Sequence, residues 1–202
     1  MIRAVVLDLG GVLASGEGVT AEPAALLGVP EEEFSRLYWE GRTDYDLGLP
    51  DSAYWGPLLE ALGKPAAVET VQQLAKLDAD LWLRLLPEPR QLLADLRAAG
   101  MTTAVLSNAP FNLDMGLIEA DFADEADYWF VSAAMGVAKP EKAAFHRVTE
   151  VLELAPGEIA FLDDKDHNVE AAERYGWRAH QWTSANDARA WLASLGVLAP
   201  AS

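Results

Sequence analysis

Four polar segments of the chain contain residue types that could carry out chemistry, and each lies beside a predicted strand or helix. Their members are Asp8, Ser107 with Asn108, Lys139, and Asp163 with Asp164. Asp8 follows the apolar run Ala-Val-Val-Leu, which is typical of a strand buried on both faces. Because the carboxyl ends of parallel strands meet at one edge of a sheet, we expect these side chains to converge there.

The chemistry that this combination favours is phosphoryl transfer. An aspartate at a strand end could act as a nucleophile or as a metal ligand. Further carboxylates could hold a hard cation such as Mg²⁺, while a serine hydroxyl, a loop amide and a lysine could bind phosphoryl oxygens. In such reactions, positioning and charge neutralisation provide most of the catalysis.

The elements that must position these residues alternate from about residue 88 onward. Helices are predicted over 88–99, 141–152 and 169–175, and strands over 102–106, 128–132, 159–162 and 177–182. Strands that alternate with helices of this length predict a parallel sheet with helices on both faces. The predicted fold class is therefore α/β, with a Rossmann-like doubly wound parallel sheet as its core.

Residues 14–87 have a different character, with helical spacing and no clear strand alternation. Three glutamates after Pro30 are typical of the first turn of a helix, and more helices are predicted around 51–62, 66–76 and 78–86. Because one strand precedes this region and the others follow it, we interpret it as an inserted helical cap over the sheet edge. The predicted domains are an α/β core of residues 1–13 and 88–202 and a cap of residues 14–87.

Composition narrows the possible partners and location. The chain has 202 residues, is 51% hydrophobic and carries a formal net charge of −17, which argues against a general nucleic-acid or anionic-membrane surface. It contains no cysteine, so disulfides, thiol catalysis and cysteine-zinc sites are excluded. With no recognisable signal peptide and no run long enough to span a membrane, we expect a cytoplasmic location. The sequence does not indicate an oligomeric state.

The four segments, taken together, resemble motifs of the haloacid dehalogenase (HAD) superfamily, in its subgroup with a helical cap after the first strand. The matching stretches are Leu-Asp-Leu-Gly-Gly-Val-Leu at 7–13, Leu-Ser-Asn at 106–108, Ala-Lys-Pro-Glu at 138–141, and Phe-Leu-Asp-Asp-Lys-Asp-His-Asn-Val-Glu-Ala-Ala at 161–172. The resemblance covers nearly the whole chain, although the cap matches only in being helical and in its position. It implies a Mg²⁺-dependent phosphatase of small phosphorylated molecules that forms an aspartyl-phosphate.

The resemblance also implies which residues bind the metal and the phosphate. Asp8 would attack phosphorus and would bind Mg²⁺ together with Asp164 and the backbone carbonyl of Gly10. Ser107 and the backbone amide of Asn108 would hold the phosphoryl oxygens.

Three more residues receive supporting roles from the same resemblance. Lys139 would neutralise charge on the nucleophile and on the phosphate. Asp163 would support the metal shell or orient Lys139. Asn168 takes a position that the family often fills with a second acidic residue, and it would hydrogen-bond within that shell.

One position departs from the family pattern. The family usually carries a second aspartate two residues after the nucleophile, as general acid and base, but here that residue is Gly10. General acid–base catalysis typically contributes ~10²–10⁴-fold, so this loss is large unless it is offset. Asp44 or Asp46 of the cap could supply the proton, the substrate could have a good leaving group, or the protein could be a catalytically impaired binder.

A set of bacterial HAD phosphatases with Asp-Leu-Gly followed by Asn or Gly is similar to this chain, and its members hydrolyse sugar phosphates, including an anomeric one. We therefore favour a sugar phosphate as substrate, and among sugar phosphates an anomeric one.

One alternative is a 2-haloacid dehalogenase, which would use the same aspartate to attack carbon without a metal. The acids at 163–164 suit a cation better than a halide. A non-catalytic binding or regulatory module is the other. Arg42 could bind a distal part of the ligand or could be ion-paired.

Overall fold

A five-stranded, all-parallel sheet forms the centre of the protein in the computed structural model, which describes residues 1–199. The strands are β1 (Ala4–Leu7), β2 (Thr102–Ser107), β3 (Tyr128–Val131), β4 (Ile159–Asp163) and β5 (Arg178–Gln181). Their spatial order is β3-β2-β1-β4-β5. The chain first builds the sheet from β1 through β2 to β3 and then crosses to β4 on the other side of β1, so the carboxyl edge between β1 and β4 is the topological switch point. The predicted α/β fold is confirmed.

Helices cover both faces of this sheet, and others form a group of their own. They are α1 (Ala21–Leu27), α2 (Glu31–Glu40), α3 (Arg42–Asp46), α4 (Asp51–Ala61), α5 (Val68–Trp82), α6 (Pro87–Ala98), α7 (Phe111–Glu119), α8 (Ser132–Met135), α9 (Lys142–Leu152), α10 (Asp166–Tyr175) and α11 (Ala185–Ser194). Within the described residues, none is long and apolar enough to cross a membrane.

Strand β1 is buried on both sides, as its β-branched apolar sequence predicts. Val5 and Leu7 belong to one apolar cluster, whereas Ala4 and Val6 belong to another on the opposite face of the sheet. This alternation follows from the two-residue period of a strand. A strand buried in this way holds the residue that follows it in a rigid position.

The five helices between β1 and α6 bury a separate apolar cluster of their own. Its largest fully buried members are Phe34, Tyr38, Tyr45 and Trp55. These helices occupy the region that the sequence analysis interprets as a cap, and its exact boundaries at residues 14 and 87 stay a prediction.

The end of the inserted region differs in detail from the sequence expectation. Instead of two helices over 66–76 and 78–86, one continuous helix, α5, runs from Val68 to Trp82. It contains neither proline nor glycine, and its buried face continues at helical spacing from Val71 through Leu81. After α5 the chain forms an antiparallel bridge between Leu85 and Ala14, so the two connections of the insertion run side by side.

Candidate active site

The sheet register brings the predicted nucleophile and the acidic pair together. Leu7 of β1 pairs with Leu162 of β4, and the backbone amide of Asp8 donates a 2.9 Å hydrogen bond to the carbonyl of Leu162. Asp8 therefore lies beside Asp163 at the carboxyl edge of the two central strands. On the other side of β1, Ser107 ends strand β2 at the same edge.

Lys139 lies at the centre of this cluster. Its Nζ is 2.7 Å from Oδ1 of Asp8 and 2.7 Å from Oδ2 of Asp163. The lysine side chain is only 1% exposed, so its charge has little access to water and is compensated by the two carboxylates. A lysine bridging two acids fixes the position of both and leaves the second oxygen of Asp8 available to a ligand.

Asp163 is the most fully paired of the acids. Besides Lys139, its oxygens accept hydrogen bonds from the backbone amide of Lys165 at 2.9 Å and from Nδ2 of Asn168 at 3.0 and 3.1 Å. Its residue is fully buried. These contacts hold Asp163 in place beside Lys139 and Asn168, and its role stays a prediction.

Asn108 connects the end of β2 to the lysine loop. Its side-chain Nδ2 donates to the carbonyl of Lys139 at 2.7 Å, and its Oδ1 accepts from the amide of Lys139 at 2.9 Å. This paired interaction holds the backbone of Lys139 in place. The sequence analysis had assigned only the backbone amide of Asn108 to the site, so this use of the side chain was missed.

The donor set fits a hard divalent cation. Asp8, Asp163 and Asp164 each offer a carboxylate oxygen, and these atoms all lie within 4.8 Å of one another. Among the described residues, Oδ1 of Asp164 and Oδ1 of Asn168 are buried oxygens without a hydrogen-bond partner. Oxygens of this kind are the ligands that Mg²⁺ takes, and an unpartnered buried carboxylate oxygen is costly without one.

Gly11 makes room for the carboxylate of Asp164. Its φ is +79°, a left-handed conformation that favours glycine. A Cβ at this position would lie 2.6 Å from Oδ2 of Asp164. Both the turn and the close approach therefore require glycine here.

Burial and neighbouring charges shift the pKa values of Asp8 and Lys139. Burial raises the pKa of Asp8 to about 7, against the opposing effect of Lys139, and the neighbouring charge of Asp163 raises it further. Burial alone would lower the pKa of Lys139, but Asp8 and Asp163 hold it above its ordinary value. Lys139 is accordingly charged near neutral pH. Asp8 can lose its proton when a cation binds beside it.

A cavity of about 700 Å³ lies over this cluster and is bordered on its far side by residues of the inserted helices. Its floor is the carboxyl edge of the sheet, and its opposite wall includes Trp39, Arg42, Thr43, Asp46 and Trp82. A second cavity of about 650 Å³ lies between α5 and α7, away from the acidic cluster. The titratable groups identify the first cavity as the candidate active site.

Arg42 is ion-paired and buried, although it borders this cavity. Its Nε donates to Asp46 at 2.7 Å, and one terminal nitrogen lies 3.0 Å from both oxygens of Asp78. Of the two readings proposed from the sequence, the ion pair is the one found. With two carboxylates already on it, Arg42 supports the wall of the cavity.

The two cap aspartates considered as proton donors lie in different places. Asp46 borders the cavity, and burial raises its pKa to about 6 against the lowering effect of Arg42. Asp44 is exposed and borders a different, smaller cavity. Of the pair, only Asp46 faces the site.

The structure thus brings all of the sequence-predicted site residues to one cavity or to its immediate support, and their roles stay predictions. Those that line it are Asp8, Gly10, Ser107, Asn108, Lys139, Asp164 and Asn168. Asp163 lies behind them, bonded to Lys139. Sequence reasoning missed Lys165, whose Nζ is 2.7 Å from Oδ2 of Asp164. It also missed Trp82 of the wall, because no motif connects the insertion to the sheet edge.

Comparison with known proteins agrees with this arrangement. A family profile of haloacid dehalogenase-like hydrolases matches residues 2–176, and the chain belongs to that family. The phosphatase MT3486 of Mycobacterium tuberculosis is 28% identical over 187 residues, covering 89% of this chain and 86% of the relative. The (S)-2-haloacid dehalogenase 1 of a Pseudomonas species is 27% identical over 188 residues, covering 87% and 82%.

Solved structures share the fold. The HAD family enzyme bt-2542 of Bacteroides thetaiotaomicron, in complex with magnesium and inorganic phosphate, superposes with a TM-score of 0.70 at 22% identity, covering 91% of this chain and 95% of that one. The protein is therefore a hydrolase of the HAD family, in which both phosphatases and dehalogenases are similar to it.

Proposed function

We propose that this protein is a Mg²⁺-dependent phosphatase that acts on a small phosphorylated metabolite through an aspartyl-phosphate on Asp8. The observation that carries the proposal is the convergence of Asp8, Asp163 and Asp164 within 4.8 Å, with an unpartnered oxygen on Asp164. A carbon-attacking dehalogenase has no need for such an oxygen-rich cation site. A sugar phosphate is the favoured substrate, and among sugar phosphates an anomeric one is favoured.

Asp8, Asp164 and the backbone carbonyl of Gly10 are the groups proposed to hold Mg²⁺. When bound, the cation supplies positive charge to phosphoryl oxygens and helps to orient the phosphate. Lys139, which lies 2.7 Å from the carboxylate of Asp8, would supply further positive charge. Ser107 lines the cavity at the end of β2, where its hydroxyl can donate to a phosphoryl oxygen.

The proposed reaction starts with the free oxygen of Asp8. That oxygen attacks phosphorus, the bond between phosphorus and the leaving oxygen breaks, and the electron pair leaves with that oxygen. The other oxygen, Oδ1, is held by Lys139 and by the amide of Leu9 at 2.7 Å, which fixes the direction of attack. Water then hydrolyses the aspartyl-phosphate and restores the carboxylate.

A 2-haloacid dehalogenase is a second candidate, because the Pseudomonas dehalogenase matches 87% of this chain and the Mycobacterium phosphatase 89%. Both activities would use Asp8 as nucleophile. They differ in the atom attacked and in the need for a cation.

A single panel of assays separates these candidates. We expect phosphate release from sugar, nucleotide or acyl phosphates in the presence of Mg²⁺, and its loss when a chelator is added in excess. With 2-chloropropionate we expect no chloride release. Chloride release that persists in chelator would instead establish the dehalogenase. No turnover on either substrate class would favour a binding module.

Magnesium affinity is expected to depend on pH. Because burial raises the pKa of Asp8 to about 7, a proton occupies this ligand at lower pH and must leave when the cation binds. The apparent association constant should rise about tenfold per pH unit below pH 7 and level off above it. Isothermal titration of the protein with MgCl₂ at pH 6 and pH 8, in two buffers of different ionisation enthalpy, measures both the affinity and the proton released. Equal affinities with no proton release would contradict this linkage.

A further inference from the structure

We propose that Trp82 occupies the place of the missing acid–base side chain at position 10 and thereby limits the enzyme to phosphoesters with acidic leaving groups. This inference rests on the proposed phosphatase function. It names a residue of the inserted helices as the one that sets specificity. Its basis is the packing of the Trp82 indole ring on the loop that follows β1.

The ring lies against Gly10 on the side where a side chain would begin. A Cβ built on Gly10 would lie 3.1 Å from Cζ3 and 3.6 Å from Cε3 and Cη2 of Trp82. Gly10 has no positive φ, so its backbone would accept other residues. A side chain at position 10 would therefore meet the tryptophan ring first, in a contact that requires the ring to shift by a few tenths of an ångström.

The same ring is fitted against a second glycine of this loop. Gly16 has a φ of +68°, and a Cβ there would lie 2.6 Å from Cη2 and 2.7 Å from Cζ3 of Trp82. Gly10 and Gly16, one at each end of the turn after Asp8, thus both pack against the ring. This packing leaves the ring little freedom to move away from Gly10.

Hydrogen bonds hold the opposite edge of the ring. Nε1 of Trp82 donates to the hydroxyl of Tyr38 at 3.0 Å, and that hydroxyl donates to Oδ1 of Asp78 at 2.6 Å. Arg42 contacts both Tyr38 and Asp78, and all three of these residues are buried. The edge that faces Gly10 consists of the ring carbons Cε3, Cζ3 and Cη2, and it is apolar. The indole N–H, the one donor of the ring, is used in this network, so the ring offers no proton to the site.

The leaving group consequently departs without a proton from position 10. As the bond from Asp8 to phosphorus forms and the bond to the leaving oxygen breaks, that oxygen keeps the electron pair and later takes a proton from solvent. This path becomes faster as the leaving oxygen becomes more acidic, so that a nitrophenyl or acyl phosphate reacts faster than phenyl phosphate, and an anomeric sugar phosphate faster than a phosphate on an ordinary alcohol. A phosphate on an ordinary alcohol would react slowly.

Asp46 and His167 are the described groups of the cavity wall most able to act as another proton donor. Asp46 already accepts a 2.7 Å hydrogen bond from Nε of Arg42. His167 is exposed, and its Nδ1 lies 3.6 Å from Asp166. Both can be tested by substitution.

The wild-type protein provides the primary test. We expect kcat/KM for 4-nitrophenyl phosphate to exceed that for phenyl phosphate by ~10²-fold or more with saturating Mg²⁺, because no protein acid assists the poorer leaving group. The quantity kcat/KM is chosen because it reports the step in which the leaving group departs. A ratio below about tenfold overturns the inference, and loss of the phenyl phosphate activity in Asp46→Asn or His167→Gln would then identify the true donor.

A matched pair of double variants tests whether an acid can act from the space that the ring fills. Gly10→Asp with Trp82→Ala restores a carboxylate in the space that the ring vacates, and Gly10→Asn with Trp82→Ala has the same shape without the acid. We expect the aspartate variant to exceed the asparagine variant on phenyl phosphate by at least ~10-fold, and the two to be nearly equal on 4-nitrophenyl phosphate.

The outcomes distinguish this inference from the function on which it rests. Equal activity of the two double variants on phenyl phosphate, with native circular dichroism, contradicts the role of Trp82 while leaving the phosphatase proposal standing. If the variants fail to fold, the wild-type ratio still decides. Absence of Mg²⁺-dependent release from any phosphoester rejects the phosphatase proposal, and this inference with it.

Discussion

Replacement of Asp8 by asparagine is expected to lower kcat/KM for phosphate release by at least ~10⁴-fold, because it removes the attacking oxyanion. The fold should survive, since the amide has nearly the same volume and burial already disfavours the ionised form of Asp8, whose pKa is raised to about 7. Lys139 keeps its second partner, Asp163, 2.7 Å away. Phosphate release and thermal melting measured on the same preparation check both statements.

Asp121→Asn is a suitable control for this experiment. Asp121 is exposed and does not border the catalytic cavity, so its substitution should change neither phosphate release nor the melting temperature. A second readout is covalent: the wild type, quenched with acid during turnover, should gain the mass of one phosphoryl group, and Asp8→Asn should not. If Asp8→Asn kept a tenth of the wild-type rate, the nucleophile would have to be another residue.

Of the substitutions considered, replacement of Lys139 by methionine is expected to lower the free energy of unfolding most. The substitution keeps an unbranched chain but removes the charge that lies between Asp8 and Asp163, two buried carboxylates. Breaking a buried ion pair in this way typically costs about 3–5 kcal/mol, because the remaining charge is uncompensated. For a protein of this size, the melting temperature should fall by roughly 6–20 °C.

The loss should depend on pH in a defined direction. Without Lys139, the pKa of Asp8 would be higher still, so the variant gains stability when a proton neutralises this carboxylate. Urea unfolding should therefore show a larger difference between variant and wild type at pH 8 than at pH 5. Lys142→Met serves as control, since Lys142 is exposed at the start of α9. Equal stability of Lys139→Met and wild type at pH 8 would show that the carboxylates do not need this charge.

The sheet and the acidic edge were predictable because they depend on local patterns. The apolar run before Asp8 and the alternation of strands with helices after residue 88 indicate a parallel sheet, and such a sheet gathers its strand ends at one edge. Asp8, Lys139 and Asp163 are adjacent for this reason. The motifs also indicate the family to which the chain belongs.

What faces that edge from the insertion was decided by tertiary packing alone. Arg42 is neutralised by Asp78, which lies 36 residues further along the chain, and Trp82 lies against Gly10, which is 72 positions earlier. A helical pattern shows which side of α5 is buried, but it contains no information about which loop that side will meet. The sequence determined, through strand order and periodicity, which residues gather around Asp8. Only tertiary packing placed the Trp82 ring against Gly10 and Gly16, where the side chain of a second aspartate would lie.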